Sequence, residues 1–266
     1  MSPLLSCHGL SRSFGALKAV DDVGLEVRAG SRHAVIGPNG AGKSTLFSLL
    51  TGLLRPTSGT VVLGGRDITH LSEVRRARLG LSQTMQHVSL FPSLTAAENV
   101  ALAVQRHNGR VSPVPVRRRH VTGRVEQMLA RTGLDGRGGV PVSAQSHGET
   151  KQLELALALA CEPRLLLLDE PAAGMSRAET GHLSDLLAGL PAEVTVLFVE
   201  HDLDLVFSLA TEVTVLHLGA VLLSGSPADV RDDPRVQQAY LGTSRRDDLF
   251  TAPTAAPGEP RVPTRP

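Results

Sequence analysis

The chain has no tryptophan, one tyrosine and two cysteines among 266 residues, and aromatic residues make up 3% of it. So few rings leave little on which to stack bases, which argues against a nucleic-acid partner. Cys7 and Cys161 stand far apart and in no metal-ligand spacing, so they form neither a disulfide framework nor a zinc site and read as inert thiols of a reducing compartment. A dominant charge sign is also missing. Lys and Arg number 27 against 26 Asp and Glu, a net charge of +1, and no global field draws in nucleic acid or anionic lipid. No apolar run approaches the roughly 18 residues of a membrane span. The start, "MSPLLSCHGLSRSFG", has neither the basic end nor the apolar core of a signal peptide. The expectation is a soluble cytoplasmic protein whose link to any membrane runs through another subunit. The densest basic run, "VRRRH" (116–120), has no interleaved aromatics and reads as a solvated face.

What is present is ordinary globular usage, 41% apolar and 20% charged, enough for a sizeable core. Short apolar runs alternate with helical patterns: "HAVIG" (33–37), "TVVL" (60–63), "RLLLLDE" (164–170) and "TVLFVEH" (195–201). That alternation predicts an α/β fold with a largely parallel, buried sheet. "PTSGTVVLGGRDI" (56–68) reads as a turn and hairpin. Between residues 91 and 160 no strand is expected, while 95–105 and 123–133 carry helical spacing, which predicts a helical subdomain. "LELALALA" imitates a strand by its alternating Leu. Its helix formers and the absence of β-branched residues from 151 to 161 predict a buried helix instead. Residues 244–266, rich in Pro and poor in large apolar side chains, read as a disordered tail after a folded unit of 1–243.

Three stretches carry chemistry. "GPNGAGKST" (37–45) follows the strand "HAVI" and opens a helix, as the P-loop pattern requires. The glycines let the loop's N–H groups face phosphates, Lys43 reaches the β and γ phosphates, and the Ser44 hydroxyl is a Mg²⁺ ligand. "LLLLDEP" (165–171) is an apolar strand ending in two acids, with Asp169 assigned to the metal and Glu170 to the attacking water. "VTVLFVE" (194–200) leads into His201, read as a γ-phosphate contact near the same crevice. In "AQSHGETKQLELALALA" (144–160), Ser146 with Glu149 three residues on is a capping box, and the remaining N–H groups of such a helix start suit an anion.

The order of "GPNGAGKST", Gln86 in "QTMQHVSLF", "SHGE", "LLLLDEP" and "VEHD" resembles the nucleotide-binding subunit of ATP-binding cassette (ABC) transporters over residues 4 to 242. The resemblance implies a RecA-like P-loop core with an antiparallel β region and a helical subdomain near 91–160. It implies ATP and Mg²⁺ as ligands. Gly37, Pro38, Asn39, Gly40, Ala41, Gly42, Lys43, Ser44 and Thr45 then match the ATP-binding loop, and Phe14 matches the aromatic that stacks on adenine. Gln86 matches a glutamine that touches Mg²⁺ and water, and "AGMS" (173–176) matches a loop passing between two ATP sites. Ser146, His147, Gly148 and Glu149 match the signature that contacts ATP held by a second subunit, with departures: Gln145 replaces the usual Leu, His147 the first Gly, and Glu149 the commoner Gln.

"DEPAAGM", "VEHDLDLV" and "RDDPRVQQAYLG" (231–242) are similar to the ATPases of branched-chain amino acid importers, while "SHGE" and "AGMSRAET" lean toward urea and short-chain amide importers. That branch implies a second ABC ATPase, integral membrane permeases and, indirectly, an extracytoplasmic solute-binding protein, with this subunit peripheral on the inner face of the membrane. A soluble single-cassette ATPase is the alternative. A regulator without turnover would lack a catalytic acid, and Glu170 is present.

Overall fold

The computed structural model describes residues 3–84, 90–107 and 118–241. Gln86, the whole expected tail (244–266) with its boundary, and residues 116 and 117 of the basic run lie outside them. Two sheets form the frame. The larger has six strands, β3 (Arg32–Ile36), β6 (Leu81–Gln83), β7 (Leu165–Asp169), β8 (Thr195–Val199), β9 (Glu212–His217) and β10 (Ala220–Gly225), in the order β10-β9-β3-β8-β7-β6. All neighbours are parallel except the β9–β10 hairpin. The smaller, antiparallel sheet has the order β2-β1-β4-β5, built from β1 (Pro3–Phe14), β2 (Leu17–Arg28), β4 (Ser58–Leu63) and β5 (Arg66–Asp67). "TVVL" therefore sits in the antiparallel sheet and pairs with β1 and β5, not in the parallel one.

The apolar runs are continuous because the parallel sheet is covered on both faces. Successive side chains of a strand point to opposite faces. Leu166 and Leu168 of β7, Val196 and Phe198 of β8, and Ala34 and Ile36 of β3 enter one core; Leu165, Leu167, Leu197, Val199 and Val35 enter the other. The first core is closed by α3 (Ala96–His107), α4 (Arg118–Arg131), α5 (His147–Ala160), α6 (Arg177–Ala188), α7 (Leu203–Leu209), α8 (Pro227–Asp232) and α9 (Pro234–Leu241). The second is closed by α1 (Lys43–Thr51) and the antiparallel sheet. The helices α3, α4 and α5 pack on one another, and "LELALALA" is the buried helix expected.

One buried cation holds α1 in place. Arg76, on the short α2 (Glu73–Ala77), is 0% exposed. Its guanidinium donates to Leu49 O and Leu50 O at 2.7 Å each, to Thr69 O at 2.9 Å and to Leu71 O at 3.1 Å. The first two are carbonyls of the last turn of α1, which has no intrahelical donors left for them. A cation there also complements the helix dipole.

A second buried base sets an acid limit. His33 is 1% exposed in β3, and burial, with Arg28 adding to it, pulls its imidazole down to about 4. Its Nδ1 lies 3.8 Å from Glu212 Oε2, but the ring is neutral at pH 7, so this is no ion pair there. Between the ordinary value of 6.5 and 4 the unfolded chain binds a proton that the native ring refuses, so stability falls as pH drops through that window. His33→Gln should remove about 3 kcal/mol of acid destabilisation. The check is urea unfolding at pH 7 and pH 4; equal acid losses in both proteins would place the effect elsewhere.

Candidate nucleotide site

The parallel strands deliver their C-terminal ends to one edge of the sheet, where a crevice forms in open α/β folds. From β3 the chain enters the glycine-rich loop. A Cβ on Gly37 would strike the Leu216 carbonyl and one on Gly42 the Ala19 carbonyl, and Gly42 has φ +102, so the loop is fitted to glycine. Gly42 caps α1 without any side-chain hydrogen bond, leaving first-turn N–H groups for an anion. Asn39, Gly40 and Ser44 are exposed, while Pro38 and Ala41 are buried. Thr45, the next residue of α1, is half-buried. Lys43 is 8% exposed and its Nζ donates to Gly37 O at 2.7 Å and Pro38 O at 3.1 Å. Burial lowers its pKa, while Glu170 and Asp169 raise it, so these three charged groups share one field.

β7 supplies the acids. Asp169 is held above the usual carboxylate range by burial first and then by Glu170. Its Oδ1 is buried without a hydrogen-bond partner. Glu170 adopts φ +48, a strained left-handed backbone for a side chain of this size, with its N–H bonded to Val199 O at 3.0 Å. The turn that leaves β7 is therefore pinned to β8.

At the end of β8 stands a residue that the sequence reading passed over. Glu200 is 1% exposed and accepts from Ala172 N at 2.8 Å and His201 N at 3.1 Å. Burial raises its pKa. It ties the loop after Glu170 to the backbone of His201, whose ring is exposed with Nδ1 3.8 Å from Glu200 Oε2. Its place in "VEHD" was visible, but its burial was not. Phe14 is 45% exposed, and the Arg12 guanidinium lies over its ring, 4.8 Å from the centroid, a cation–π contact on one face.

The signature stretch begins α5 with the expected capping box: Ser146 Oγ accepts from Glu149 N at 3.2 Å, and Glu149 Oε2 accepts from Ser146 N at 2.8 Å. A further partner, Arg137, donates Nε–H to Glu149 Oε1 at 2.6 Å and, with Ser146, holds this carboxyl low. The acid at Glu149 is thus neutralised from within the chain. By position, His147 and Gly148 have N–H groups with no partner inside the helix. Gln86 lies outside the described residues.

A phosphate chain would meet N–H donors, a buried ammonium and a pair of carboxylates along this edge, the equipment of the P-loop nucleotide-binding ATPases. Within that class the chain belongs to the ABC transporter family, whose model matches residues 20–173. A model described as "Branched-chain amino acid ATP-binding cassette transporter" matches residues 220–245. The chain is 39% identical over 250 residues to the high-affinity branched-chain amino acid transport ATP-binding protein BraF of Pseudomonas aeruginosa, covering 90% of this chain and 98% of that one. It is 37% identical to LivG of Escherichia coli (strain K12), likewise a high-affinity branched-chain amino acid transport ATP-binding protein, with the same coverage. Among solved structures it is similar to the ADP conformation of MJ1267, an ATP-binding cassette of an ABC transporter, with a TM-score of 0.80 and 26% identity over 91% of this chain and 100% of that one. The P-loop core, the antiparallel region and the ATPase class expected from the sequence are borne out. The C-terminal match carries the single tyrosine: Tyr240 on α9 is half-buried against the core, with the Gly37 backbone beside its hydroxyl, so this segment lies against the start of the glycine-rich loop. No helix among the described residues is long and apolar enough to cross a membrane.

Proposed function

We propose that this chain is the ATP-hydrolysing subunit of an importer for branched-chain amino acids, working with membrane permeases and a second ATPase subunit. The observation that carries the ATPase roles is the shared field of Lys43, Asp169 and Glu170 at one sheet edge. The relatives and the C-terminal segment support the substrate class. On this reading the subunit is cytoplasmic and peripheral on the membrane, a solute-binding protein acts indirectly, and nucleic acid is not a partner.

Residues 37–45 and the dipole of α1 bind the phosphates, and Lys43 turns from its own loop carbonyls to the β and γ oxygens. Phe14 stacks on adenine with the face opposite Arg12. The orphaned Oδ1 of Asp169 and the exposed Ser44 hydroxyl fit Mg²⁺, which takes one or two protein oxygens and completes its shell with phosphate and water. Gln86 is the third proposed ligand. The chemistry that Mg²⁺ supplies when bound is neutralisation of phosphate charge. Glu170 orients the attacking water and accepts its proton as the new O–P bond forms and the bond to the ADP oxygen breaks. His201 contacts the γ phosphate. Ser146, His147, Gly148 and Glu149 present the start of α5 to the ATP of the second subunit.

ATP closes such a pair only to the extent that the closed form binds it more tightly. The test is the transporter purified through this chain and reconstituted with its binding protein. Leucine, isoleucine or valine should raise ATP turnover; stimulation by urea or short-chain amides instead, or no membrane partner at all, would overturn the importer assignment. Lys43→Ala should weaken ATP binding more than tenfold in a titration, because a buried, charge-assisted contact to the phosphates is lost. Unchanged affinity would remove Lys43 from the site.

A further inference from the structure

The departure from the family pattern at His147 has a structural partner. His147 is the first residue of α5, and its Nε2 lies 3.2 Å from the carbonyl oxygen of Ala173, in the loop between β7 and α6. A carbonyl only accepts, so Nε2 carries the proton. Ala173 in turn donates its N–H to Glu170 O at 3.1 Å. A single residue, Ala173, therefore joins the start of α5 to the backbone of Glu170. The fit around the ring is close. A Cβ on Gly174 would come within 3.1 Å of His147 Nε2, so the loop offers the imidazole a flat glycine face. On the neighbouring turn, the Glu179 side chain of α6 occupies the space that a Cβ on Gly148 would need. The loop is fixed from its other side by Glu200, which accepts from Ala172 N at 2.8 Å.

We infer that His147 is a positioning residue that mechanically couples the two halves of the cassette: the α5 start, which serves the second subunit's ATP, and Glu170, which serves the chain's own. The inference rests on the proposed ATPase roles and adds to them a route between sites. As the first turn of α5 is drawn toward phosphate on the second subunit, the imidazole carries Ala173 with it, and Ala173 carries the Glu170 backbone. The other charged groups of this corner are Glu149, Lys151 and Glu154 on α5 and Glu179 on α6. The bond to Ala173 does not depend on their titration, because both the neutral Nε2–H form and the imidazolium donate it.

The experiment compares the wild type, His147→Ala and His147→Gln, each as the full chain assembled with its membrane subunits, measuring ATP turnover against ATP concentration. Losing one positioning hydrogen bond should lower kcat for His147→Ala about fivefold to tenfold. The backbone N–H of residue 147, by which the α5 start faces the second subunit's ATP, is kept in both variants, so KM for ATP should be unchanged while the Hill coefficient falls toward that of independent sites. His147→Gln, whose carboxamide N–H can reach the same carbonyl, should restore most of the rate. Wild-type kcat and Hill coefficient in His147→Ala would overturn the inference. So would a KM rise without a kcat loss, which marks a direct phosphate contact, and so would a loss that Gln does not rescue. Absence of turnover in the wild type would instead remove the ATPase reading on which the inference stands.

Discussion

Glu170→Gln should lower ATP turnover by about 10² to 10⁴, the range over which a positioned general base contributes, while ATP binding is retained. The substitution keeps the shape of the side chain and the backbone turn but removes the proton acceptor. Retained binding follows from the electrostatics around it. Glu170 raises the pKa of Asp169, so neutralising it leaves Asp169 easier to ionise and no weaker as a metal ligand. It also raises the pKa of Lys43, but Asp169 does the same and remains, so the ammonium keeps a carboxylate partner. Phosphate release and nucleotide binding measured on one preparation separate the two effects, and the variant should accumulate as an ATP-bound dimer. Phosphate release at the wild-type rate would assign the water to another group.

Arg76→Met should destabilise the fold by about 3 to 5 kcal/mol, from three buried carbonyls and a partly buried fourth that lose their donors. Burial pulls the guanidinium down to about 10, with Asp67 opposing, so it remains charged at neutral pH. Arg76→Lys should recover part of the loss, because an ammonium keeps the charge but cannot present the planar fork that reaches Leu49, Leu50, Thr69 and Leu71 together. Urea unfolding with an unchanged m-value gives the comparison, and a loss below about 1 kcal/mol would show that the carbonyls find water. As Lys43 is the first residue of α1, the less stable variant should also lose ATP affinity as the helix's last turn loosens.

Much of the site was legible because its signals are local. A glycine-rich loop between a strand and a helix, two acids at the end of an apolar run, and Ser with Glu three residues on each depend on neighbours in the chain. The capping box at Ser146 and Glu149 formed as read for that reason. The strand β1 left little trace, because register shifts along its pairing go with a burial pattern that does not alternate. In β2 the signal was there and was passed over: Val23, Leu25 and Val27 are buried and alternate with exposed Gly24, Glu26 and Arg28. "TVVL" showed itself as apolar and extended, but a run of four residues does not say which sheet will take it.

The sequence by itself determined the chemistry that this protein carries: the glycine-rich loop, the lysine, the paired acids and a capped helix start whose free N–H groups suit an anion. Tertiary structure decided how these groups are held. It buried Arg76 under the end of α1, set Glu200 between Ala172 and His201, brought Arg137 to Glu149, and laid His147 on Ala173. Each of these contacts has a backbone carbonyl, a backbone amide or a lone carboxylate on one side. Such groups carry no distinctive sequence signal, and only the packing of distant segments selects which of them a given side chain meets.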